Sequence, residues 1–308
     1  MDRIVDIATD GRHLSTYRGF LKVEESGKEI GRIPLDDVAA VIVHAHGITY
    51  SNNLLVALAD HNACLVVCGR NHMPVSMVWP LDGHHQQGAR MRAQCEAAKP
   101  LCKRLWRSLV VAKIKNQAAV LDAWGMRSGG LLDLTSKVRS GDPDNVEAQA
   151  ARRYWRLLFG PDFRRDRTAD GANALLNYGY TVMRATAARA VVGAGLHPTI
   201  GIHHRHRGND MALVDDLVEP FRPVVDACVK RLADLGIDEV TSEAKHSLVS
   251  LTAIDLATPS GMSPVAVCLQ RLATSLAQAF ETGDATLELP LPPSGLDLAA
   301  LAPDSAMP

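Results

Sequence analysis

Aromatic residues are scarce in this chain, and several patterns that mark particular protein classes are missing. Phe, Trp and Tyr make up 5% of the 308 residues, so stacking of side-chain rings on bases is not expected to dominate binding. No run of about eighteen apolar residues occurs, which argues against a transmembrane helix. The first six residues hold two acids and no apolar stretch, so no signal peptide is expected.

Cysteine is present, but never in the spacing of a zinc ribbon. None of the six cysteines forms a Cys-x-x-Cys pair, which disfavours such a site. Most of them lie in apolar runs, which indicates reduced thiols that pack as small hydrophobic side chains. This usage is typical of a cytoplasmic protein, and the chain is long enough to bury a core without disulfides.

Positive and negative charges nearly balance over the whole chain but not along it. The net charge is −1, yet residues 90–190 hold 19 Lys and Arg against 9 Asp and Glu, a net of +10. Residues 1–89 carry a net of −3 and residues 191–308 a net of −8. A middle third this basic predicts a surface that binds a polyanion such as nucleic acid. The alternative is a set of well-solvated helix faces.

Apolar periodicity predicts an α+β fold, with a small N-terminal β-rich domain followed by a larger all-α C-terminal domain. Short branched runs separated by turn residues indicate a β-domain over residues 1–82, in which Ser51 caps one helix. A polar linker with glycine covers residues 83–89, and the helical domain covers residues 90–282. Residues 283–308, rich in Pro, Ala and Leu, are expected to form a loosely ordered tail.

The C-terminal domain shows helical periodicity almost throughout. The predicted helices span residues 90–98, 100–124, 145–159, 171–193, 211–235, 243–258 and 263–280. Basic residues are expected on the polar side of the second of these: Lys103, Arg104, Arg107, Lys113 and Lys115.

A glutamate lies near the start of one predicted helix, beside small residues. Asp142 and Pro143 suggest an N-cap and a first helical position, so Glu147 falls in the first turns. The alanines that follow let another helix approach closely, and the carboxylate of Glu147 could project into a shared cleft. The alternative is a helix-terminal glutamate that only offsets the macrodipole.

Imidazoles and carboxylates lie about fifteen residues apart later in the chain. Three histidines fall in a predicted loop that leads into a helix near Met211: His203, His204 and His206. Because neighbouring side chains point in different directions, all three cannot ligate one ion. Glu219 follows about two turns along the helix, after Asp215 and Asp216.

Carboxylate with imidazole is the ligand set of a hard or borderline divalent cation. Nearby arginines such as Arg205 and Arg222 suggest a phosphate-bearing substrate. The acids could instead form a solvated helix face. The two prolines around Glu219, Pro220 and Pro223, argue against that, because proline is costly in a helix.

Further polar residues lie between these two segments. If DNA binds, most of a set of arginines should contact its phosphates and give affinity without sequence specificity: Arg152, Arg153, Arg164, Arg165 and Arg167. Asn173 and Asn177 lie on a predicted helix with an apolar face. This helix is interpreted mainly as a core helix, whose amides could also orient substrate or ligands.

With these motifs in order, the chain resembles the CRISPR-associated integrases, the universal spacer-acquisition subunit of CRISPR adaptation, and is most similar to the type II versions. The resemblance covers about residues 1–280. Its marks are four blocks: residues 147–155, 173–180, 195–204 and 216–226. One departure is Val218, where the family usually has methionine, and it should change packing and not chemistry.

The resemblance implies a metal site formed by Glu147, His204 and Glu219, with Mg²⁺ or Mn²⁺ as the cofactor. His204 is preferred to His203 because the family spacing from histidine to acid matches residues 204 and 219. It also implies insertion of short DNA fragments into a CRISPR array by attack of a 3′-hydroxyl on a repeat phosphodiester. The alternatives are a metal-dependent endonuclease that hydrolyses branched or duplex DNA, and a non-catalytic DNA-bridging scaffold.

The same resemblance implies partners that composition and periodicity do not show. They are DNA, a second copy of the chain joined largely through the β-domains, and a small ferredoxin-like adaptation subunit that completes a heterohexamer. The type II effector nuclease is a further candidate partner.

Overall fold

The N-terminal region contains two four-stranded sheets and one helix. The computed structural model describes residues 3–69, 74–81, 83–128, 130–204, 206, 208–259, 261–295 and 298. The strands are β1 (Arg3–Ile7), β2 (Arg12–Tyr17), β3 (Phe20–Glu25), β4 (Lys28–Pro34), β5 (Val38–Val43), β6 (Thr49–Tyr50), β7 (Cys64–Cys68) and β8 (Pro74–Val78), with helix α1 (Asn52–Asp60) before β7. The hydroxyl oxygen of Ser51 accepts a hydrogen bond from Leu54 N, which confirms the predicted cap.

One of the two sheets separates two parts of the core. Its order is β1-β5-β7-β8, in which β1, β5 and β7 are parallel and β8 is antiparallel to β7. Every residue of β5 is buried, as expected of a strand covered on both faces. Val41 and Val43 pack toward α1 and the second sheet, whereas Ala40 and Ile42 pack against the helices.

The second sheet has the order β4-β3-β2-β6. Two antiparallel hairpin pairings join β2, β3 and β4, and β6 runs parallel to β2. Its fully buried side chains Leu14 and Leu21 belong to the same core cluster as α1 and one face of the first sheet.

The remainder of the chain is mostly helical, and the predicted α+β fold is confirmed. The helices are α2 (Gln87–Glu96), α3 (Lys99–Ala123), α4 (Leu131–Thr135), α5 (Val146–Phe159), α6 (Ala172–Gly193), α7 (Ala212–Val218), α8 (Arg222–Asp234), α9 (Ser242–Ser250) and α10 (Val265–Thr282). Helix α6 is buried along most of its length and packs against α7, α8, α9, α10 and the first sheet. Within the described ranges, none of these helices is long and apolar enough to cross a membrane.

Two predicted helices end earlier than their periodicity suggested. The helix expected over residues 211–235 is divided by a 3-10 turn at Glu219–Phe221, because Pro220 and Pro223 lack the N–H groups that a continuous helix requires. The helix expected over residues 243–258 ends at Ser250. It is followed by a two-stranded hairpin, β9 (Asp255–Thr258) and β10 (Gly261–Pro264), so the C-terminal region is not wholly helical.

The segments at either end of the helical region contact it directly. Helix α2 begins at Gln87, inside the expected linker. After Thr282, the backbone N–H of Leu291 donates to Ala257 O and that of Glu288 donates to Ser275 Oγ. Leu298 is buried, so part of the expected tail packs on the helices, while residues 296, 297 and 299–308 lie outside the described residues.

Candidate functional site

Glu147 is positioned by a carboxylate that caps the start of its helix. Helix α5 begins at Val146, later than the predicted cap position, because Asn145 adopts a left-handed conformation. Asp142 nevertheless caps the helix from a distance: Oδ1 accepts from Val146 N and Oδ2 from Glu147 N, both at 2.9 Å. The half-buried Glu147 side chain therefore projects from a fixed first turn.

Glu219 lies in the 3-10 turn between α7 and α8. Its side chain is 8% exposed. The turn is tied to α3 by Asn116, whose Nδ2 donates to Pro220 O at 2.7 Å. The proline-rich sequence thus ends one helix, begins the next and directs Glu219 toward α3 and α5.

An ammonium group lies between these two carboxylates. Lys113 on α3 is 7% exposed, and its Nζ donates to Glu147 Oε1 and to Glu219 Oε2, the latter at 2.5 Å. Arg222 Nε lies 3.0 Å from the other oxygen of Glu219. Burial acts to raise the pKa of Glu219, but Arg222 and Lys113 outweigh it and hold that pKa well below its usual range.

A loop held by one buried carboxylate carries the histidines. Asp216 on α7 is fully buried and accepts backbone N–H bonds from Ile202, His203 and His204 at 2.6, 3.0 and 3.2 Å. Gly201 allows this wrap, since a Cβ there would lie 2.5 Å from His204 O and 2.9 Å from Asp216 Oδ2. The loop before α7, predicted from the sequence, is confirmed.

Asp216 also fixes the ring of His204. Its Oδ1 lies 2.6 Å from His204 Nδ1, and because a carboxylate is an acceptor, Nδ1 carries the proton and Nε2 remains for a ligand. The hydrogen bond to Asp216 raises the pKa of His204, although burial acts in the opposite direction.

The neighbouring histidine has a different environment. His203 stacks on Trp106 of α3, with ring centroids 4.2 Å apart and planes 3° apart. Burial lowers the pKa of His203. The His203 ring also meets the His204 ring edge-on, with centroids 5.6 Å apart, and both histidines line a cavity of about 280 Å³ with Glu147 and Glu219. His204, and not His203, also lines a larger cavity together with these two glutamates.

That cavity has a volume of about 620 Å³. Its lining holds five basic side chains and five carboxylates: Lys113, Arg165, Arg167, Arg184 and Arg222, and Glu147, Asp210, Asp215, Glu219 and Asp226. Arg222 also lies over the ring of Tyr180, 4.7 Å from its centroid, and the Tyr180 hydroxyl donates to the buried Asp226. The cavity thus brings carboxylates and the His204 imidazole together with lysine and arginine side chains.

The predicted DNA-contacting arginines fall into two groups. Arg165 and Arg167 line the cavity, whereas Arg152, Arg153 and Arg164 are exposed outside it.

Arg165 is held by the two amides of α6. Its Nη1 donates to Asn173 Oδ1 at 2.9 Å and its Nη2 to Asn177 Oδ1 at 2.5 Å. The same asparagines donate to Arg164 O and Arg167 O. Asn173 and Asn177 thus anchor the arginine-containing loop, a task that the sequence pattern did not reveal.

Comparison with known proteins identifies the family of this chain. Residues 5–252 match the family model "CRISPR associated protein Cas1". The chain belongs to the Cas1 family. The family resemblance drawn from the four sequence blocks is therefore confirmed.

Among Cas1 relatives, the CRISPR-associated endonuclease Cas1 of Neisseria meningitidis serogroup C is 38% identical over 244 residues, which cover 78% of this chain and 80% of the relative. Two solved structures share the fold. A casposase bound to integration product has a TM-score of 0.79 at 20% identity, covering 93% of this chain and 92% of that chain. A chain of a Cas6-RT-Cas1–Cas2 complex has a TM-score of 0.75 at 18% identity, covering 94% of this chain and 36% of that chain.

The donor set of the Cas1-family site fits a divalent cation in its chemistry. Glu147 and Glu219 supply carboxylate oxygens, and His204 supplies Nε2 with its other nitrogen fixed by a carboxylate, as is common for metal-ligating histidines. Among the described residues, no three His, Cys, Asp or Glu side chains converge closely enough to count as a ready-made metal cluster. The ammonium of Lys113 lies where the two carboxylates would share a cation.

Sequence reasoning missed Lys113 and the specific task of Asp216. Lys113 was assigned to a solvated helix side, yet it is four residues after the buried Leu109 and four before the buried Gln117. Such spacing places it on the inner face of α3, and this was the available signal. Asp216 was recognised only as part of an acidic cluster, because its backbone partners belong to a loop without periodicity.

Proposed function

We propose that this chain is a divalent-metal-dependent DNA integrase that inserts short DNA fragments into a CRISPR array. The observation that carries the proposal is that Glu147, His204 and Glu219 line one cavity together with five lysine and arginine side chains. In the reaction, the 3′-hydroxyl of a DNA fragment attacks a phosphodiester of the repeat next to the leader. No protein nucleophile is required.

The proposed ligands of Mg²⁺ or Mn²⁺ are Glu147, Glu219 and Nε2 of His204. Such an ion supplies Lewis-acid stabilisation of the scissile phosphate and of the leaving oxygen. The chain itself supplies the positioning. Asp216 keeps the His204 proton on Nδ1, and the arginines of the cavity wall hold phosphates in line with the attacking hydroxyl.

We further propose that the chain works as a homodimer assembled with a small Cas2-type subunit on DNA in the cytoplasm. The fold shared with a chain of the Cas6-RT-Cas1–Cas2 complex supports the Cas2-type partner. The fold shared with a casposase bound to integration product supports DNA as the substrate and joining as the reaction. The exposed Arg152, Arg153 and Arg164 are proposed to bind DNA beyond the cavity.

A second candidate function is hydrolytic cleavage of DNA, which the name of the endonuclease from N. meningitidis favours. The same ligand set would serve both reactions, because only the attacking oxygen differs, water in one case and a 3′-hydroxyl in the other. The products separate them, since integration joins strands and hydrolysis leaves free ends.

The test is a strand-transfer assay with the full chain, the small partner subunit, Mn²⁺ or Mg²⁺, and a 3′-hydroxyl DNA fragment. The target is a supercoiled plasmid with a leader and repeat. We expect joined product with the wild type and at least a hundredfold less with His204→Ala or Glu219→Gln, with DNA binding retained. His246→Ala, an exposed histidine on α9, is the matched control.

Nicking without joining would replace the proposal by the hydrolytic one. Full joining by Glu219→Gln would contradict the ligand assignment. DNA binding without either reaction in any protein would leave a DNA-bridging scaffold as the function.

A further inference from the structure

Lys113 is unusual among the basic residues of this site because it is buried and has two carboxylate partners. Its Nζ donates to Glu147 and to Glu219, which come from α5 and from the turn between α7 and α8. The three groups meet from parts of the chain that are 34 and 106 residues distant from Lys113. One ammonium therefore joins the elements that carry the two acidic ligands.

Lys113 Nζ lies between an oxygen of Glu147 and an oxygen of Glu219, the place that a cation shared by these two carboxylates would take. Two carboxylates directed at one point create a negative potential that a single positive charge can satisfy, and a lysine ammonium is a compact point charge. A divalent ion bound by the same two oxygens would meet the ammonium at contact distance. Like charges this close repel strongly in a buried site, so the ion and the ammonium cannot both stay there.

The Lys113 side chain has space to move away from the two carboxylates. Its side chain lines the 620 Å³ cavity together with Gln117, and its four-carbon stem can rotate without displacing α3. Glu219 would keep Arg222 as a partner at 3.0 Å, so the glutamate would not lose all its positive neighbours. Movement of one side chain into the cavity is enough to release both carboxylates.

We propose that Lys113 is an internal counter-cation that holds Glu147 and Glu219 together and leaves them when a divalent ion enters. This inference rests on the proposed metal site and adds a positioning residue to it. Lys113 keeps the acidic ligands paired and competes with the ion, so it lowers the affinity of the site for metal. An ion pair that served only to stabilise the fold would not compete in this way.

The first experiment compares Lys113→Met with the wild type and with Lys115→Met, an exposed lysine on the same helix. Binding of Mn²⁺ to the full chain is measured by electron paramagnetic resonance of the free ion. We expect Lys113→Met to bind Mn²⁺ at least tenfold more tightly than the wild type, and Lys115→Met to match the wild type.

The same three proteins are also unfolded by heat in EDTA and in saturating Mn²⁺. Because Lys113→Met leaves the buried Glu219 and the half-buried Glu147 without their shared cation, we expect it to melt below the wild type in EDTA. The rise in Tm on adding Mn²⁺ should then be larger for this variant than for the two other proteins.

A second experiment uses the wild type alone, so it does not depend on a variant that folds. Lysines of the full chain are reductively methylated with and without Mn²⁺, and modification of Lys113 and Lys115 is quantified by mass spectrometry. We expect Lys113 to react far more slowly than Lys115 without the ion. With Mn²⁺ its modification should rise several-fold, while that of Lys115 stays constant.

The outcomes separate this inference from the proposed function. Equal or weaker Mn²⁺ binding by Lys113→Met, or unchanged methylation of Lys113 on adding Mn²⁺, would overturn the counter-cation role and leave the metal site intact. Absence of Mn²⁺ binding by the wild type and by Lys113→Met would overturn both.

Discussion

Replacing Asp216 by asparagine should disable the site without touching any proposed ligand. The Asp216 carboxylate accepts three backbone N–H groups and His204 Nδ1. Asparagine has one acceptor oxygen and an NH₂ group that can only donate. If the amide oxygen serves Ile202 and His203, the NH₂ group faces His204, whose backbone N–H then loses its partner.

The size of the expected loss in stability follows from the number of hydrogen bonds that Asp216→Asn changes. One hydrogen bond to a charged acceptor is lost and two others become neutral, so we expect the free energy of unfolding to fall by about 2 kcal/mol. The NH₂ group can bond His204 Nδ1 only if the proton moves to Nε2. That tautomer cannot ligate a metal ion through Nε2, and loss of such an orienting group typically lowers metal affinity by about ten- to a hundredfold.

Three measurements test this expectation together. Nitrogen NMR of the His204 ring reports which nitrogen carries the proton, Mn²⁺ titration gives the affinity, and the strand-transfer assay gives the activity. Asp238→Asn, at an exposed position after α8, controls for loss of one charge. An Asp216→Asn protein that keeps the proton on Nδ1 and wild-type Mn²⁺ affinity would refute the reasoning.

Two further predictions concern the exposed arginines and the buried acid behind the cavity. Arg152→Ala with Arg153→Ala should lower the salt dependence of DNA binding by about two in the slope of log K against log salt. Lys28→Ala, at the exposed first residue of β4, is the control; an unchanged slope would remove Arg152 and Arg153 from the DNA surface. Burial raises the pKa of Asp226 to about 7, so the folded state holds a proton that the unfolded state releases near pH 4. The stability that this group contributes is therefore lost as pH rises from about 4 to 7, by up to ~1.4 kcal/mol per pH unit. Asp226→Asn should flatten that part of a plot of unfolding free energy against pH. A variant plot with the wild-type slope would show that Asp226 is ionised throughout.

Local patterns were enough to predict the features of this fold that depend on neighbours in sequence. The Ser51 cap, the loop before α7 and the α+β order all follow from short-range chemistry. The β9–β10 hairpin was missed because β9 follows α9 directly through a 3-10 turn, and its two strands are only four residues long. Apolar runs this short do not separate strand from helix.

The site was predictable only in part, for a related reason. The sequence was enough to predict a metal site at Glu147, His204 and Glu219, because two carboxylates and an imidazole at the family spacing are typical metal ligands. Lys113 carries no such mark, since its role depends on acids that are brought to it by tertiary packing. The apolar pattern of α3 shows only that Lys113 lies on the buried face. It does not show which distant acids form ion pairs with it.

Helix α6 has a mechanical consequence that follows from where its two ends lie. Near its start, Asn173 and Asn177 hold the arginine loop of the cavity. Further along, Ala185 accepts from the thiol of Cys64 in β7, and Arg189 donates to Asn62 O. Its 22 residues span roughly 33 Å. A protein that binds the sheets would therefore fix the distance and the orientation of the cavity relative to itself without contacting the cavity.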